Sequence, residues 1–221
     1  MAKSKVVSID EAMSHLFSGM RIMIPGFVNC GVPETLIKGI ISAGYTDLDV
    51  ISNNTSVQGR GIGRLVHENR IKHITCSHIG SNKETMAKVV AGEINVTFTP
   101  QGTLCERMRA GGAGIGGVLT PTGLGTPMQE GKPVIEVDGK QYILEKPLHA
   151  DVAIIHAWKA DKMGNCIYHH TAKNFNPIMA TAADLVILEA EEIVEIGELE
   201  PDYIMTPGCL VDYVVQGCPA E

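Results

Sequence analysis

Three short polar segments carry residue types able to hold an anion or stabilise an oxyanion. Pro25-Gly26-Phe27-Val28-Asn29-Cys30-Gly31-Val32-Pro33 follows the apolar run Arg21 to Ile24. Its glycines permit close backbone approach, and the helix start beyond Pro33 offers free N–H groups to an anion. An ordinary strand-to-helix turn has the same spacing. Asn53 and Asn54 end a second apolar run. Their side-chain amides donate and accept hydrogen bonds without charge, although asparagine also suits plain turns. Thr99-Pro100-Gln101-Gly102-Thr103 ends a third run. A side-chain amide at such a junction can stabilise an oxyanion; the alternative is a polar loop residue.

Other motifs point elsewhere or nowhere. Gly112-Ala113-Gly114-Ile115-Gly116-Gly117 fits GxGxxG by the letter. It follows a helical pattern instead of a strand and opens no helix, which argues against dinucleotide binding. Glu189, Glu191, Glu192 and Glu195 read as a solvated face. The six cysteines form no CxxC pair and the eight histidines show no ligand spacing. Reduced structural thiols and no metal are expected.

The elements that position these segments are legible by periodicity. Ser8-x-x-Glu11, Ser81-x-x-Glu84 and Thr103-x-x-Glu106 have the capping-box form and predict three helix starts. The first helix is predicted to run through Phe17 to Gly19. Another is predicted over 34–43, opened by Pro33 and closed by Gly44. Strands are expected at 21–24, 48–52, 71–76, 94–99, 152–158, 185–189 and 210–215, with a short helix after Asn176-Pro177. Residues 53–63 and 111–126 read as glycine-rich loops. Asp138-Gly139 between two apolar runs predicts a hairpin. The alternation implies an α/β fold: an open, largely parallel sheet with flanking helices and an inserted β-hairpin, in one domain over 1–221. Ligands of such sheets gather at the carboxyl ends of strands, where segments 25–33, 53–63 and 99–103 fall.

The 221 residues are 44% hydrophobic and carry a formal net charge of -7. An acidic chain does not suit a nucleic-acid backbone as partner. No apolar run is long enough to span a bilayer, and residues 1–10 lack the apolar stretch of a signal peptide. A cytoplasmic location is expected.

Taken in order, further strings give the pattern a family likeness. Gly26-Phe27 with Gly31 and Pro33, Ser77 to Thr85, Pro100 to Leu104, Arg109 to Gly114, Leu119 to Thr126 and Lys173-Asn174-Phe175-Asn176-Pro177 resemble the alpha subunit of family I coenzyme A transferases. The acetate/acetoacetate and butyrate–acetoacetate enzymes are the nearest likeness. Three departures stand out: Pro25 where the family has glycine, Ser18 and Asn54 where it often has Asp. Pro25 removes an N–H and stiffens its turn.

The resemblance implies a ping-pong transfer through a glutamyl-CoA thioester, with coenzyme A as substrate and no cofactor. The nucleophilic glutamate is expected on a beta subunit, in an α2β2 assembly. This chain has no Glu-Asn-Gly string; Glu68-Asn69-Arg70 is the nearest. By the same resemblance Pro25, Gly26, Phe27, Val28, Asn29, Cys30 and Gly31 would line the CoA site. Asn53 and Asn54 would sit near the carboxylate or thioester, and Gln101 would be the oxyanion donor. The rival readings are a sugar-phosphate isomerase-like or ligand-sensing α/β domain, a non-enzymatic scaffold, and a nicotinamide dehydrogenase.

Overall fold

The computed structural model describes residues 3–218. The Ser8 hydroxyl accepts from the Glu11 N–H at 3.1 Å and opens α1 (Ile9–Met13). That helix stops short of Phe17, which is exposed, because the Ser14 hydroxyl bonds back to the Glu11 carbonyl. There follow β1 (Arg21–Met23), α2 (Glu34–Ala43), β2 (Leu48–Ile51), α3 (Ile62–His67), β3 (Ile71–Cys76), α4 (Lys83–Val90), β4 (Asn95–Phe98) and α5 (Gln101–Gly112). The second half holds β5 (Val118–Thr120), β6 (Val134–Val137), β7 (Lys140–Glu145), β8 (Ala150–Asp161), β9 (Cys166–Ile167), α6 (Asn176–Met179), β10 (Ala183–Val194) and β11 (Tyr213–Gln216).

The main sheet has the order β11-β10-β8-β1-β2-β3-β4, all parallel, with β9 joining β8 antiparallel. The chain winds outward from β1 through β2, β3 and β4, and on the other side from β8 through β10 to β11. The switch point therefore lies between β1 and β8, where ligand crevices form in open parallel sheets. Both faces are covered, so the inner strands carry buried apolar residues on both sides. On β8, Val152 and Ile154 face Leu36, Ile37 and Leu65 in one core. Ala153 and Ile155 face Leu104, Met108, Phe175 and Met179 in the other.

The hairpin forms as expected, with Asp138 and Gly139 both in the left-handed region (φ 52° and 73°). It belongs to a separate antiparallel sheet of order β5-β7-β6, because β5 lies within the stretch read as loop. β5 has three residues, and α3 has six after a glycine-rich approach. Both are too short to show a period. Two of the three predicted caps move. Asn82, not Ser81, caps α4, accepting from the Thr85 N–H; the Ser81 hydroxyl donates to the Ser56 carbonyl. Pro100 stands at the cap position of α5, and Thr103 is buried inside that helix. Proline's fixed φ set the earlier start.

The GxGxxG-like run is a packing device. A Cβ on Gly111 would overlap the Leu148 carbonyl, and one on Gly112 would overlap Thr181. The glycines let the end of α5 lie against the segments flanking β8 and β10. The small sheet is fastened to α5 by a buried carboxylate, Glu145, which pairs with Lys132 at 2.6 Å and Arg107 at 3.8 Å. Arg107 also donates to the Lys146 carbonyl and to the Thr99 hydroxyl. Removing one member of a buried ion cluster leaves the others uncompensated. Glu145→Ala is expected to cost roughly 3 kcal/mol, measured as a lower urea midpoint at unchanged slope; an unchanged midpoint would deny the cluster that role.

Candidate active site

Segments 25–33, 53–63 and 99–103 all lie at the carboxyl end of the main sheet, following β1, β2 and β4. The first is a rigid tab. Phe27 and Cys30 exchange both backbone hydrogen bonds at 3.1 Å, making a tight turn with Val28 at φ 59°. Phe27 and Val28 stand exposed at its tip. Gly26 has φ 140°, and a Cβ there would meet Val32 at 2.6 Å. Gly31 has φ 76°, and its Cβ would meet the Asn176 amide at 2.8 Å. Neither position accepts a side chain without strain.

Side chains from distant segments hold the tab. The tab's own Asn29 Oδ1 accepts from the Val57 N–H. The Cys30 thiol lies 2.9 Å from the Thr171 hydroxyl, and Asn174 donates to the Cys30 carbonyl at 3.0 Å. Asn176, fully buried, donates to the Gly31 and Ala172 carbonyls at 2.9 Å and accepts from the His156 N–H at 2.7 Å. Asn174 and Asn176 were visible in sequence only as part of the family likeness. Their work is to satisfy a loop's backbone groups, which no period reveals.

Two predicted site residues meet directly. Gln101 opens α5 and is exposed; its Nε2 donates to Asn53 Oδ1 at 3.0 Å. Asn53 is nearly fully buried. Ser77, just past β3, donates to Asn53 Oδ1 at 2.7 Å and lies 2.8 Å from its carbonyl oxygen. Asn54 turns away from this cluster; its Oδ1 accepts from the Ser56 N–H at 2.7 Å. Among the described residues no hydrogen bond joins the 25–31 tab to Gln101.

The glutamate cluster corrects the solvated-face reading. Glu189, Glu191 and Glu192 lie on strand β10, so successive residues alternate sides, and Glu195 follows its end. Glu192 and Glu195 do reach outward, pairing with Lys159 and Lys162. Glu191 sits 3.2 Å from His156 Nε2. Burial lowers the His156 pKa, and the Glu191 carboxylate partly restores it. Glu189 is buried, and its Oε2 accepts from the Leu36 N–H at 3.0 Å. It thus caps α2 from across the sheet, because Pro33 has no side-chain acceptor to do so. Glu34, next in sequence, closes the same region by accepting from the Gly61 N–H at 2.6 Å and from Arg64 at 3.0 Å. A cleft of about 210 Å³ lined by Asn29, Thr35, Lys38, Arg64, His156 and Glu189 opens beside these groups.

The comparisons with known proteins agree with this arrangement. The family model for coenzyme A transferase matches residues 6–217. The chain belongs to the coenzyme A transferase family. It is 45% identical over 213 residues to the acetate CoA-transferase subunit alpha of Escherichia coli K12, covering 96% of this chain and 97% of that one. It is 47% identical over 213 residues to the acetoacetyl-CoA:acetate/butyrate CoA transferase alpha subunit of Clostridium acetobutylicum, covering 96% and 98%. An acyl-CoA transferase from Escherichia coli O157:H7 superposes with a TM-score of 0.85 at 24% identity. This chain is covered to 97% and spans 47% of that one, a likeness of fold. Within the coenzyme A transferases the chain therefore matches alpha subunits end to end, as its sequence pattern implied. The isomerase-like and sensing alternative finds no support among these relatives. Among the described residues no helix is long and apolar enough to cross a membrane.

Burial dominates the Glu189 carboxyl and pushes its pKa up from 4.5 to about 7, against the lowering effect of the Leu36 and Thr35 N–H groups. The folded form then holds a proton that the unfolded chain releases. Its stabilising effect is full below pH 4.5 and is lost as pH rises through about 7. Between pH 5.5 and 8 the protein is expected to lose on the order of 2 kcal/mol from this group. Glu189→Gln, which cannot ionise, should flatten that part of the profile in denaturant titrations; an equal slope in both proteins would place the ionisation elsewhere.

Proposed function

We propose that this chain is the alpha half of a short-chain acyl-CoA:carboxylate CoA-transferase, moving CoA among acetate, acetoacetate and butyrate. The observation that carries the reading is the full-length match to alpha subunits whose names give those substrates. The partner is a beta subunit, in an α2β2 complex of the cytoplasm, and the 221 residues act as one domain within it. Coenzyme A is substrate, and no cofactor takes part.

The local chemistry favours half a site. Among the described residues the side-chain hydrogen-bond partners of Gln101 and Asn53 are each other and Ser77, and none is a carboxylate. The nucleophile is then a glutamate of the partner. Its carboxylate attacks the acyl-CoA carbonyl, the C–S bond breaks, and CoA leaves as thiolate with an acyl-glutamyl anhydride behind. The thiolate attacks the glutamyl carbonyl, releasing the first carboxylate and leaving a glutamyl-CoA thioester. A second carboxylate reverses both steps. Splitting the exchange in this way lowers each barrier.

Gln101 keeps one Nε2 hydrogen after its bond to Asn53, and that hydrogen is the oxyanion donor. Asn53 and Asn54 border the carboxylate end. Residues 25–31 line the CoA site: Phe27 and Val28 offer apolar contact from a tab whose rigidity limits the ordering cost of binding. Pro25 adds to that rigidity.

CoA transfer from acetoacetyl-CoA to acetate is expected only when this chain and its beta partner are mixed, with neither active alone. Gln101→Ala in the complex should cut kcat on the order of a hundredfold. Full activity from this chain alone would make one of its own glutamates the nucleophile and end the half-site reading. A parallel series with succinyl-CoA as donor separates monocarboxylate from dicarboxylate preference.

A further inference from the structure

We propose that Ser77 is a positioning residue for Gln101, acting through Asn53; the inference rests on the catalytic role given to Gln101 above. Gln101 lies on the exposed first turn of α5, where a long side chain keeps several rotamers unless a partner holds it. Its one side-chain partner is Asn53 Oδ1 at 3.0 Å. Asn53 cannot fix itself. Its amide has two partners among the described residues, Gln101 and Ser77. Gln101 is exposed, so the holding contact is the half-buried Ser77 hydroxyl at 2.7 Å.

Ser77 is itself well fixed. Its N–H donates to the Asn53 carbonyl at 3.0 Å, continuing the β2–β3 ladder past both strands, and its hydroxyl lies 2.8 Å from the same carbonyl. The hydroxyl is thus set between two oxygens of one residue. With Ser77 and Gln101 both donating to Oδ1, the two lone pairs of that oxygen are used and the amide plane is set. One Gln101 hydrogen then points at Asn53, and the other keeps a constant direction into the space where the acyl oxygen is proposed to sit. Preorganised donors of this kind act because they need no reorientation during the reaction. The neighbouring Ser52 and Thr55 hydroxyls, buried without partners, make no bond to that oxygen.

The test is a double-mutant cycle in the assembled complex, with transfer from acetoacetyl-CoA to acetate as the assay. Ser77→Ala is expected to lower kcat about tenfold with KM changed less than about twofold. Ser77→Thr, which keeps the hydroxyl, should retain most of the activity, and Ser77→Cys, a weaker donor, should fall between. In a Gln101→Ala background Ser77→Ala should cost nothing more, because the group it positions is gone. Losses that multiply in the double variant would overturn the positioning role. So would a normal kcat for Ser77→Ala beside an impaired Gln101→Ala. A normal kcat for Gln101→Ala would instead remove the catalytic reading of Gln101, and this inference with it.

Discussion

The tab at the carboxyl end of this sheet depends on satisfying the backbone of the segment between β1 and α2. That segment is short, partly buried and flanked by prolines; Phe27 pairs with Cys30 and the Val32 carbonyl takes the Glu34 N–H, but the Gly31 carbonyl and the Leu36 N–H need partners from elsewhere. The partners come from far along the chain. Asn174 and Asn176 take the carbonyls of Cys30 and Gly31, and Glu189 takes the Leu36 N–H. A buried polar group left unpaired is costly, and a buried carboxylate more so, which is why these contacts form a single connected set. The result is a tab fixed on its inner side by Asn174 and Asn176 and bare at its tip, where Phe27 and Val28 sit.

The same logic links the catalytic proposal to the fold. Gln101 is held by Asn53, and the turn that carries it is held by Arg107, whose guanidinium bonds the Thr99 hydroxyl and faces Glu145 of the small sheet. The hairpin region is therefore a brace for the start of α5 as well as an appended sheet. Pairing the Glu145 carboxylate with two cations lets a charge sit in the interior at that junction.

The sequence disclosed whatever repeats or punctuates. Helix α2 begins and ends where Pro33 and Gly44 put its limits, and the Asp138-Gly139 hairpin is where its turn chemistry required. The parallel sheet followed from alternation of strand and helix. Elements of fewer than two full periods, such as β5 and α3, left no trace. Caps were misassigned at Ser81 and Thr103 because a serine or threonine three residues before glutamate is common, and the competing acceptor Asn82 or the stiff Pro100 decides locally. At the site, Gln101 and Asn53 were recognisable as residue types, yet their contact spans 48 residues and needs β2, β3 and β4 to be in register. Glu189 was misread for a related reason. Four glutamates in a row of seven look like a solvated surface, whereas a strand sends alternate members inward.

The central position of β1 sets an order on synthesis. Its neighbours are β2, which follows at once, and β8, whose Asp151 reaches back to the Arg21 N–H across 130 residues. A ribosome making about 5–20 residues each second leaves that interval open for roughly 6 to 26 seconds. During it the nascent chain can complete β1 to β4 but must carry β1 with one bare edge and one uncovered apolar face. In that window the bare edge of β1 is open to pairing with another chain, a hazard the finished sheet no longer carries.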